Sequence, residues 1–593
     1  MKKLAAAFFL SLCCAEAQAQ VSAQDQQNIT AIQDQVVQRQ NQMEQERVKE
    51  RDIQKTIKDR KGLEKEELEE FDELEAEVGK VVQNYRRIQC FHIDEITFSK
   101  NSLVPREREI GFTKPYLNKC LNSEQISELA QDVTDYLVVQ GYVTSKAEIP
   151  TQSLYSGTLK VNVIESHLEN ILFNDEKFSD KTQKFTAFGF YPTKEILNIR
   201  PLEIGIDQIN RLSSNNATIK FIPAKEKNDV IALIENTPKN RSHLSLSYDN
   251  NGNKKTGDRR NTIGFAQDNL FWLNDIFSIS RTANDFDQAR KKNGGTAAIN
   301  ANFSVPFYLY TLNVSYTDSS YFFWNNNSSQ HIRSSGETKT STVNLERLMI
   351  KSKKTKITSG ISLIKRENEN LINDVRVETS SRKASIVTLN FMQTFFLDNA
   401  TIFYKPSFSK SFGVLNARSD ASNTPNASPH AEFDIFRFYG NYTQKFLVKN
   451  LQFSYNLALD SQLAKQHLYS IDKFSIGGVY SVRGFKNGTI SGDSGFSIRN
   501  ELTFGVSRFW SDSKLPLQYF SLTPFYDLGY VENVGVNRSG RLSGGGLRVN
   551  LNYKDYRSNL TFSRSISKSR LLQAQTYQDD VAIFFNIASN LNF

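Results

Sequence analysis

The sequence predicts two small α+β modules followed by a membrane-spanning antiparallel β-barrel, with helices in front of the modules. Three observations support this fold class. After residue 240, polar and apolar residues alternate in segments of about ten residues separated by polar turns, a pattern typical of strands with one lipid face and one water face. Residues 89–240 contain a strand–helix–strand pattern twice, and residues 20–88 are rich in Gln, Glu, Lys and Arg.

The N-terminus has the three parts of a secretory signal peptide. Two lysines precede an apolar run that ends at Cys14, and small residues follow up to Ala19. We expect residues 1–19 to be removed, so that the mature chain begins at Gln20. A lipoprotein signal fits less well, because Leu12 stands where a small residue is expected. The mature chain has no apolar run of about 18 residues, and we therefore expect no transmembrane helix.

Two cysteines, Cys90 and Cys120, belong to the mature chain. An even number of cysteines in an exported protein favours a disulfide, and closing a loop of this size stabilises the fold by about 3–4 kcal/mol in the chain-entropy treatment. Two buried free thiols are the alternative. Two cysteines and six scattered histidines do not predict a structural metal site.

Composition and motifs argue against catalysis and against nucleic-acid binding. The net charge is +9, but acidic and basic residues are interspersed, which favours a solvated surface. The sequence has no P-loop, HExxH or GxSxG motif. Gly492-Asp493-Ser494-Gly495 matches the nucleophile tetrapeptide of trypsin-like proteases, yet small polar residues here more simply form a turn. We expect no enzyme, no cofactor and no metal.

Residues 20–88 contain two narrow apolar stripes at helical spacing. The first stripe runs from Ile29 to Met43 and the second from Leu68 to Val81. The stripes are too narrow for the core helices of a large domain. A coiled coil or a solvated linker is therefore an open interpretation of this region.

The two α+β modules are predicted at residues 89–165 and 166–240. In the first we expect strand at 90–93 and 96–98, a helix through 121–140 and a strand at 158–163. The helix has Asn122 or Ser123 as its candidate N-cap, and Gly141 stands just past its end. In the second we expect strands near 171–173, 218–221 and 230–234, and a helix near 202–212.

Residues 241–593 are predicted to form the barrel. The final segment is the clearest, because one face carries only apolar residues apart from Ser589: Val581, Ile583, Phe585, Ile587, Leu591 and Phe593. A soluble β-sandwich also alternates, but about 350 residues of alternation exceed one sandwich.

Two short stretches carry the most specific information. In the first, Arg483 lies among apolar residues in a glycine-rich turn, and a surface hairpin with a solvated arginine is its simplest interpretation. In the second, Asp527 has the opposite phase to Tyr526 and Leu528 in an alternating strand. We expect Asp527 to face the lumen, where Arg483 is a candidate partner. An unpaired lumenal aspartate is the alternative.

These stretches resemble the two motifs of the two-partner-secretion transporters, the haemolysin-activator and filamentous-haemagglutinin-transporter family. The first motif corresponds to Val482, Arg483, Gly484 and Phe485, and the second to Phe525, Asp527 and Gly529. Four residues match the end of the family's first periplasmic module: Pro150, Gln152, Leu154 and Gly157. The pair Cys90 and Cys120 matches the family's cysteines, and Phe593 resembles the terminal signal read by the barrel-assembly machinery.

The resemblance implies a plug helix and helical linker within 20–88, two periplasmic POTRA modules and a transmembrane antiparallel barrel of 16 strands. A long surface loop is expected to fold back into the lumen with Arg483 at its tip. The implied protein lies in the bacterial outer membrane and secretes one large exoprotein that carries an N-terminal secretion domain, such as a haemolysin, an adhesin or a contact-dependent toxin. Its other expected partners are the barrel-assembly machinery and outer-membrane lipid, and not nucleic acid.

Two other functions stay open from the sequence. A barrel-assembly or insertion factor of the same superfamily would need the first and last strands to part laterally. A general porin or a surface binding protein is the second alternative, and a porin would lack the modules at 90–240.

Overall fold

The computed structural model describes most of the chain from Cys90 onward: residues 90–174, 178–191, 194–226, 228–284, 294–327, 330–378, 380–449, 451–505, 519–572 and 580–593. The predicted signal peptide at 1–19 and the predicted plug helix and linker at 20–88 lie outside these residues. None of the helices described is both long and apolar enough to cross a bilayer.

The first module has a small sheet covered by a helix. Its elements are β1 (Phe91–Ile93), β2 (Glu95–Phe98), α1 (Arg106–Thr113), β3 (Lys119–Leu121), α2 (Ser123–Gln140), β4 (Lys146–Glu148) and β5 (Thr158–Ile164). The strand order is β2-β5-β4, and β1 pairs separately with β3. Asn122, one of the two predicted N-cap candidates, caps α2, and Gly141 ends the helix at the predicted place in the left-handed conformation.

Of the residues predicted as strand, 91–93 and 96–98 are confirmed as strand, but they form two strands, β1 and β2, with different partners. The strand is divided at Asp94, whose backbone N–H, together with that of Glu95, donates to the carbonyl of Gly157. The apolar face of α2 then packs on β5, with Leu129, Val133 and Leu159 fully buried in one core. The helix α1 had no sequence prediction.

The second module repeats this plan and continues directly from the first. It comprises β6 (Leu168–Phe173), α3 (Phe178–Phe188), α4 (Ile199–Asn210), β7 (Thr218–Pro223) and β8 (Val230–Glu235), with the strand order β6-β8-β7. Sequence reasoning located α4 and the three strands, but not α3. Leu168, Leu202 and Ile209 lie in its buried core.

The remaining strands form a closed antiparallel barrel of 16 strands. They are β9 (Ser242–Asp249), β10 (Arg260–Asp268), β11 (Ile276–Asn284), β12 (Gly294–Phe307), β13 (Tyr310–Asn327), β14 (Gln330–Lys351), β15 (Thr355–Ile372), β17 (Arg382–Phe396), β18 (Ala400–Phe412), β19 (Asp434–Val448), β20 (Leu451–Ala464), β23 (Ser494–Gly505), β24 (Tyr519–Glu532), β25 (Ser539–Tyr553), β26 (Tyr556–Ser567) and β27 (Val581–Asn592). The short β16 (Val375–Arg376) only extends the hairpin after β15.

The barrel closes between its first and last strands. β27 pairs with β9 from Asn586 opposite Asp249 to Asn592 opposite His243, and the backbones of Phe593 and Ser242 exchange two hydrogen bonds. The predicted alternation is confirmed in β27, where Ile583 is exposed on the outer face and Phe584 is buried on the inner face.

Residues 465–493 connect β20 to β23, and we call them the lumenal loop. Because consecutive strands are antiparallel and β9 follows the modules, this loop leaves the barrel at the end opposite the modules. It contains a 3-10 turn (Ser470–Asp472) and a two-stranded sheet of β21 (Phe474–Ile476) and β22 (Ile490–Gly492). Outside the loop, a second 3-10 turn (Arg570–Leu572) lies before β27. The loop folds inward, and its buried apolar residues pack on Val531 and Leu542 of the wall.

Candidate functional site

The innermost part of the lumenal loop is a tight turn from Gly477 to Gly484. Both residues have positive φ, +113° and +107°, which a side chain would strain. The Ser481 hydroxyl accepts from the Gly477 N–H and donates to the Gly477 carbonyl, which closes the turn. This geometry directs Arg483 from the loop toward the barrel wall.

The guanidinium of Arg483 binds two carboxylates of the wall. Its Nε and Nη2 donate to the two carboxylate oxygens of Asp527 on β24, each at 2.6 Å, and its Nη1 donates to Glu501 Oε1 on β23 at 2.6 Å. The Arg483 backbone N–H also donates to Asp527 Oδ2 at 3.1 Å. The guanidinium carbon lies 3.5 Å from the centre of the Phe525 ring. We call Arg483, Asp527 and Glu501 the tip cluster.

The tip cluster is almost completely buried. The side chain of Arg483 is 1% exposed and that of Asp527 is 0% exposed. Glu501 also accepts from Arg499 Nη2 at 2.9 Å and from Arg548 Nη2 at 2.7 Å. Each charge therefore has an opposite charge within hydrogen-bonding distance, which offsets the cost of removing it from water. The bidentate contact also fixes the orientation of the loop.

The other residues of the two motifs allow the lumenal loop to approach β24 closely. A Cβ on Gly529 would lie 3.0 Å from side-chain atoms of Ile476 and Val482, so a larger residue would displace the loop. Val482 is fully buried there, and Phe485 packs beside Leu572 in the same apolar cluster. The motif of β24 thus provides the Phe525 ring, the Asp527 carboxylate and the open space at Gly529. The loop motif contacts the ring and the carboxylate and occupies the space.

A second buried contact holds the other end of the loop. Asp472 accepts from Arg366 Nη1 on β15 at 2.8 Å and from Arg382 Nη2 on β17. The Arg382 guanidinium also stacks over Tyr469, with 4.6 Å between its carbon and the ring centre. We call Asp472, Arg366 and Arg382 the base cluster. Sequence analysis did not predict the base cluster or the role of Glu501. Alternation shows that a wall residue faces the lumen, but it does not show which loop residue that wall residue contacts.

The protease-like tetrapeptide forms the end of the lumenal loop. Asp493 accepts from the N–H groups of Leu468 and Val534, at 2.8 and 2.7 Å, and lies 2.7 Å from His467 Nδ1. The Ser494 hydroxyl instead accepts from the N–H of Ala464 at 3.0 Å. These contacts connect the loop to its neighbours.

The motif residues of the first module have structural contacts. Gln152 forms two hydrogen bonds with the backbone of Lys160 on β5, both at 2.8 Å, and Leu154 packs against the core. Gly157 provides the carbonyl at the strand break, and Pro150 follows β4. Cys90 and Cys120 form a disulfide with their Cα atoms 5.2 Å apart. Across the described ranges, no group of three or more His, Cys, Asp or Glu is arranged to hold a metal ion.

Comparison with known proteins assigns the family. A sequence profile described as haemolysin secretion/activation protein ShlB/FhaC/HecB matches residues 230–551. The chain belongs to this family. Two profiles of POTRA domains, one of them of the ShlB type, match residues 91–166 and 167–223 of this ShlB/FhaC/HecB chain.

Individual members of the family align over most of the chain. The outer membrane transporter CdiB of Dickeya dadantii is 29% identical over 441 residues, which cover 72% of this chain and 74% of that protein. The hemolysin transporter protein HpmB of Proteus mirabilis is 24% identical over 472 residues, covering 79% of this chain and 80% of its own.

Solved structures of two relatives share the fold. CdiB from Escherichia coli superposes with a TM-score of 0.75 at 22% identity, covering 86% of this chain and 92% of that one. CdiB from Acinetobacter baumannii superposes with a TM-score of 0.66 at 20% identity, covering 88% and 97%.

Proposed function

We propose that this ShlB/FhaC/HecB chain is an outer-membrane translocator that recognises one large partner exoprotein and secretes it from the periplasm to the cell surface. The observation that carries this proposal is the lumenal loop, which lies inside a closed barrel and is bound there by Arg483 through Asp527 and Glu501. A loop that occupies a polar lumen closes it in a reversible way, because the contacts can be broken without unfolding the barrel. The aligned relatives are named as transporters, among them a hemolysin transporter.

Recognition is proposed to occur on the periplasmic modules. Each module contains a three-stranded sheet, and β7 lies at one edge of the second sheet. An extended segment of the partner can add to such an edge through backbone hydrogen bonds, while alternate side chains provide specificity. The partner's N-terminal secretion domain is the proposed ligand.

Passage follows when the lumen opens. Residues 20–88 and the lumenal loop are proposed to close the resting pore together, and displacement of one or both opens a polar channel. Folding of the partner outside the cell then provides the driving force. The barrel-assembly machinery is the proposed partner for insertion of the transporter itself, with Phe593 in the signal that it reads.

The test is a secretion assay with a large exoprotein that carries the N-terminal secretion domain. Deletion of 90–240 is expected to abolish export while leaving a heat-modifiable barrel in the outer membrane. Continued export by this deletion would contradict the role given to the modules.

A crosslink across the barrel seam separates a transporter from an insertion factor. Ser245 and Asn590 are directly paired between β9 and β27, so Ser245→Cys with Asn590→Cys can lock the seam. A translocator is expected to secrete equally well with and without reductant, because the partner passes through the lumen. Secretion that needs reductant would indicate lateral opening, and either single variant is the control.

A further inference from the structure

The second periplasmic module is fixed to two turns at the periplasmic end of the barrel. Arg211 donates to the carbonyl of Asn274 at 2.7 Å, and Gln208 donates to the carbonyl of Tyr308 at 2.6 Å. The Tyr308 N–H donates to the carbonyl of Thr186 on α3 at 2.8 Å. These hydrogen bonds come from both α3 and α4, and they determine which face of the module lies beside the barrel wall.

Strand alternation shows which residues of β12 face lipid. Ile299 is 42% exposed on the outer face, and Phe303 and Phe307 follow it at even spacing. Asn300 and Ser304 face the lumen, where they hydrogen bond to Thr317 and Asn313 of β13. Phe307 therefore ends the lipid-facing stripe of this strand at the periplasmic side.

Two aromatic residues of the module extend that stripe beyond the barrel. The ring of Phe185 lies 5.0 Å from that of Phe307 and 5.1 Å from that of Phe190. Phe190 is 84% exposed. An apolar surface that starts on the lipid face of the barrel thus continues onto the module.

The neighbouring turn adds to the same surface. Phe271 is 58% exposed, and its ring lies 5.7 Å from that of Phe303 on the lipid face. Trp272 follows, and the guanidinium of Arg241 lies 4.3 Å from the centre of its ring. Aromatic rings beside guanidinium groups are typical of the boundary between hydrocarbon and lipid headgroups.

We propose that the aromatic patch formed by Phe185, Phe190, Phe271, Trp272 and Phe307 inserts into the periplasmic leaflet of the outer membrane and anchors the second module to phospholipid. Continuity with the lipid-facing stripe favours a lipid surface over a protein partner as the occupant. Lys184 precedes Phe185 on α3, but its ammonium donates to Asn170 Oδ1 and the Ile171 carbonyl of β6, and burial lowers the pKa of Lys184.

The test uses a single fluorescent label on the full chain in phospholipid vesicles. Cys90 and Cys120 are disulfide-bonded, so a cysteine introduced as Phe190→Cys can be labelled with an environment-sensitive dye. Tyr155→Cys is the matched control, because Tyr155 is also an aromatic residue and is 87% exposed. It lies before the start of β5, so the seven residues of that strand, about 20 Å in length, separate it from the point where the chain leads into the second module.

We expect nitroxide-labelled phospholipid to quench the dye at position 190 several-fold more than the dye at position 155, and aqueous iodide to show the reverse order. A second label, Phe271→Cys, is expected to behave like position 190, which guards against a local disturbance of the module. Equal iodide quenching at 190 and 155 without lipid quenching would overturn the proposal. If the dye at position 190 is protected from iodide only when the partner's secretion domain is added, the proposal is also overturned. The patch would then be assigned to the exported chain.

Discussion

The two ends of the lumenal loop are attached by clusters of opposite design. At the tip, the loop provides the arginine, Arg483, and the wall provides the carboxylates. At the base, the loop provides the carboxylate, Asp472, and the wall provides two arginines. Both clusters are buried, yet they differ in how completely their hydrogen bonds are satisfied.

Arg483 uses Nε, Nη1 and Nη2 in hydrogen bonds to carboxylates. Arg382 donates from Nη2 to Asp472, whereas its Nε and Nη1 are buried without a hydrogen-bond partner among the residues that the structure describes. Unsatisfied buried donors cost about 1–3 kcal/mol each, and more when charged. Arg499 and Arg548, which bind Glu501 from the wall, each have a buried Nε without such a partner among the described residues, so the comparison rests on Arg483 and Arg382 themselves. On this basis we expect the tip to be the stronger attachment and the base to release first.

The largest effect is expected at the tip. Arg483→Ala leaves two buried carboxylates without their shared partner, and breaking such a pair costs about 3–5 kcal/mol. We expect secretion of the partner to fall by about ten-fold or more, a loss measured in culture supernatant, while the amount of heat-modifiable barrel changes little. Arg483→Lys is also expected to be defective, because a lysine cannot form the bidentate contact.

The reciprocal variant tests whether the tip acts as one unit. Asp527→Ala should resemble Arg483→Ala, and the double variant should be no worse than either single one. Fully additive defects would mean that the two residues act separately.

The next effect concerns the pore without its predicted plug. Deletion of residues 20 to about 60 is expected to raise ion conductance in planar bilayers, because the lumen is polar. If the loop alone closes the pore, conductance stays unchanged, and residues 20–88 act only as a linker. Combining the deletion with Arg483→Ala distinguishes the two contributions.

A smaller effect is expected at the base. Asp472→Ala removes the carboxylate that two arginines share, but the tip still holds the loop. We expect frequent short openings in single-channel recordings and about a two- to five-fold loss of secretion, less than for Arg483→Ala. An equal or larger loss would reverse the ranking of the two attachments.

The smallest effect is expected for Arg382→Met. This variant removes the two unsatisfied donors, and Asp472 keeps its contact with Arg366 at 2.8 Å. Because Asp472 stays paired with Arg366, the variant leaves no buried charge without a counter-charge, and it removes two donors that cost free energy. Secretion and thermal stability of the purified barrel should stay close to those of the unchanged protein, and Arg366→Met is the matched control expected to do more harm.

The sequence predicted the parts of this architecture that repeat. Alternation over residues 241–593 predicted the barrel and the faces of β27, and the cap residues of α2 marked both of its ends. The helix α3 had no such marks: its stripe is short, and it packs partly in the module core through Phe188 and partly against the barrel turns. Tertiary contact therefore determines that element, and local pattern does not reveal it.

The site was predictable only where one residue stood out from its strand. The phase of Asp527 placed it toward the lumen, and Arg483 was its candidate partner; the two are hydrogen bonded, while their role in secretion stays a prediction. Glu501 and Asp472 gave no comparable signal. Inward polar residues occur along every strand of a water-filled barrel, and only the path of the loop selects those that it meets.

The seam between β9 and β27 has a consequence for how the protein reaches its folded state. His243 and Asn592 contact each other across 349 residues, so this contact is among the most non-local in the chain. Until it forms, the growing sheet has two unpaired edges and an apolar outer face, a combination prone to aggregation. The final pairing removes both edges at once. We therefore expect closure of the barrel to limit the folding rate. Until β9 and β27 pair, an almost complete sheet must be shielded in the periplasm.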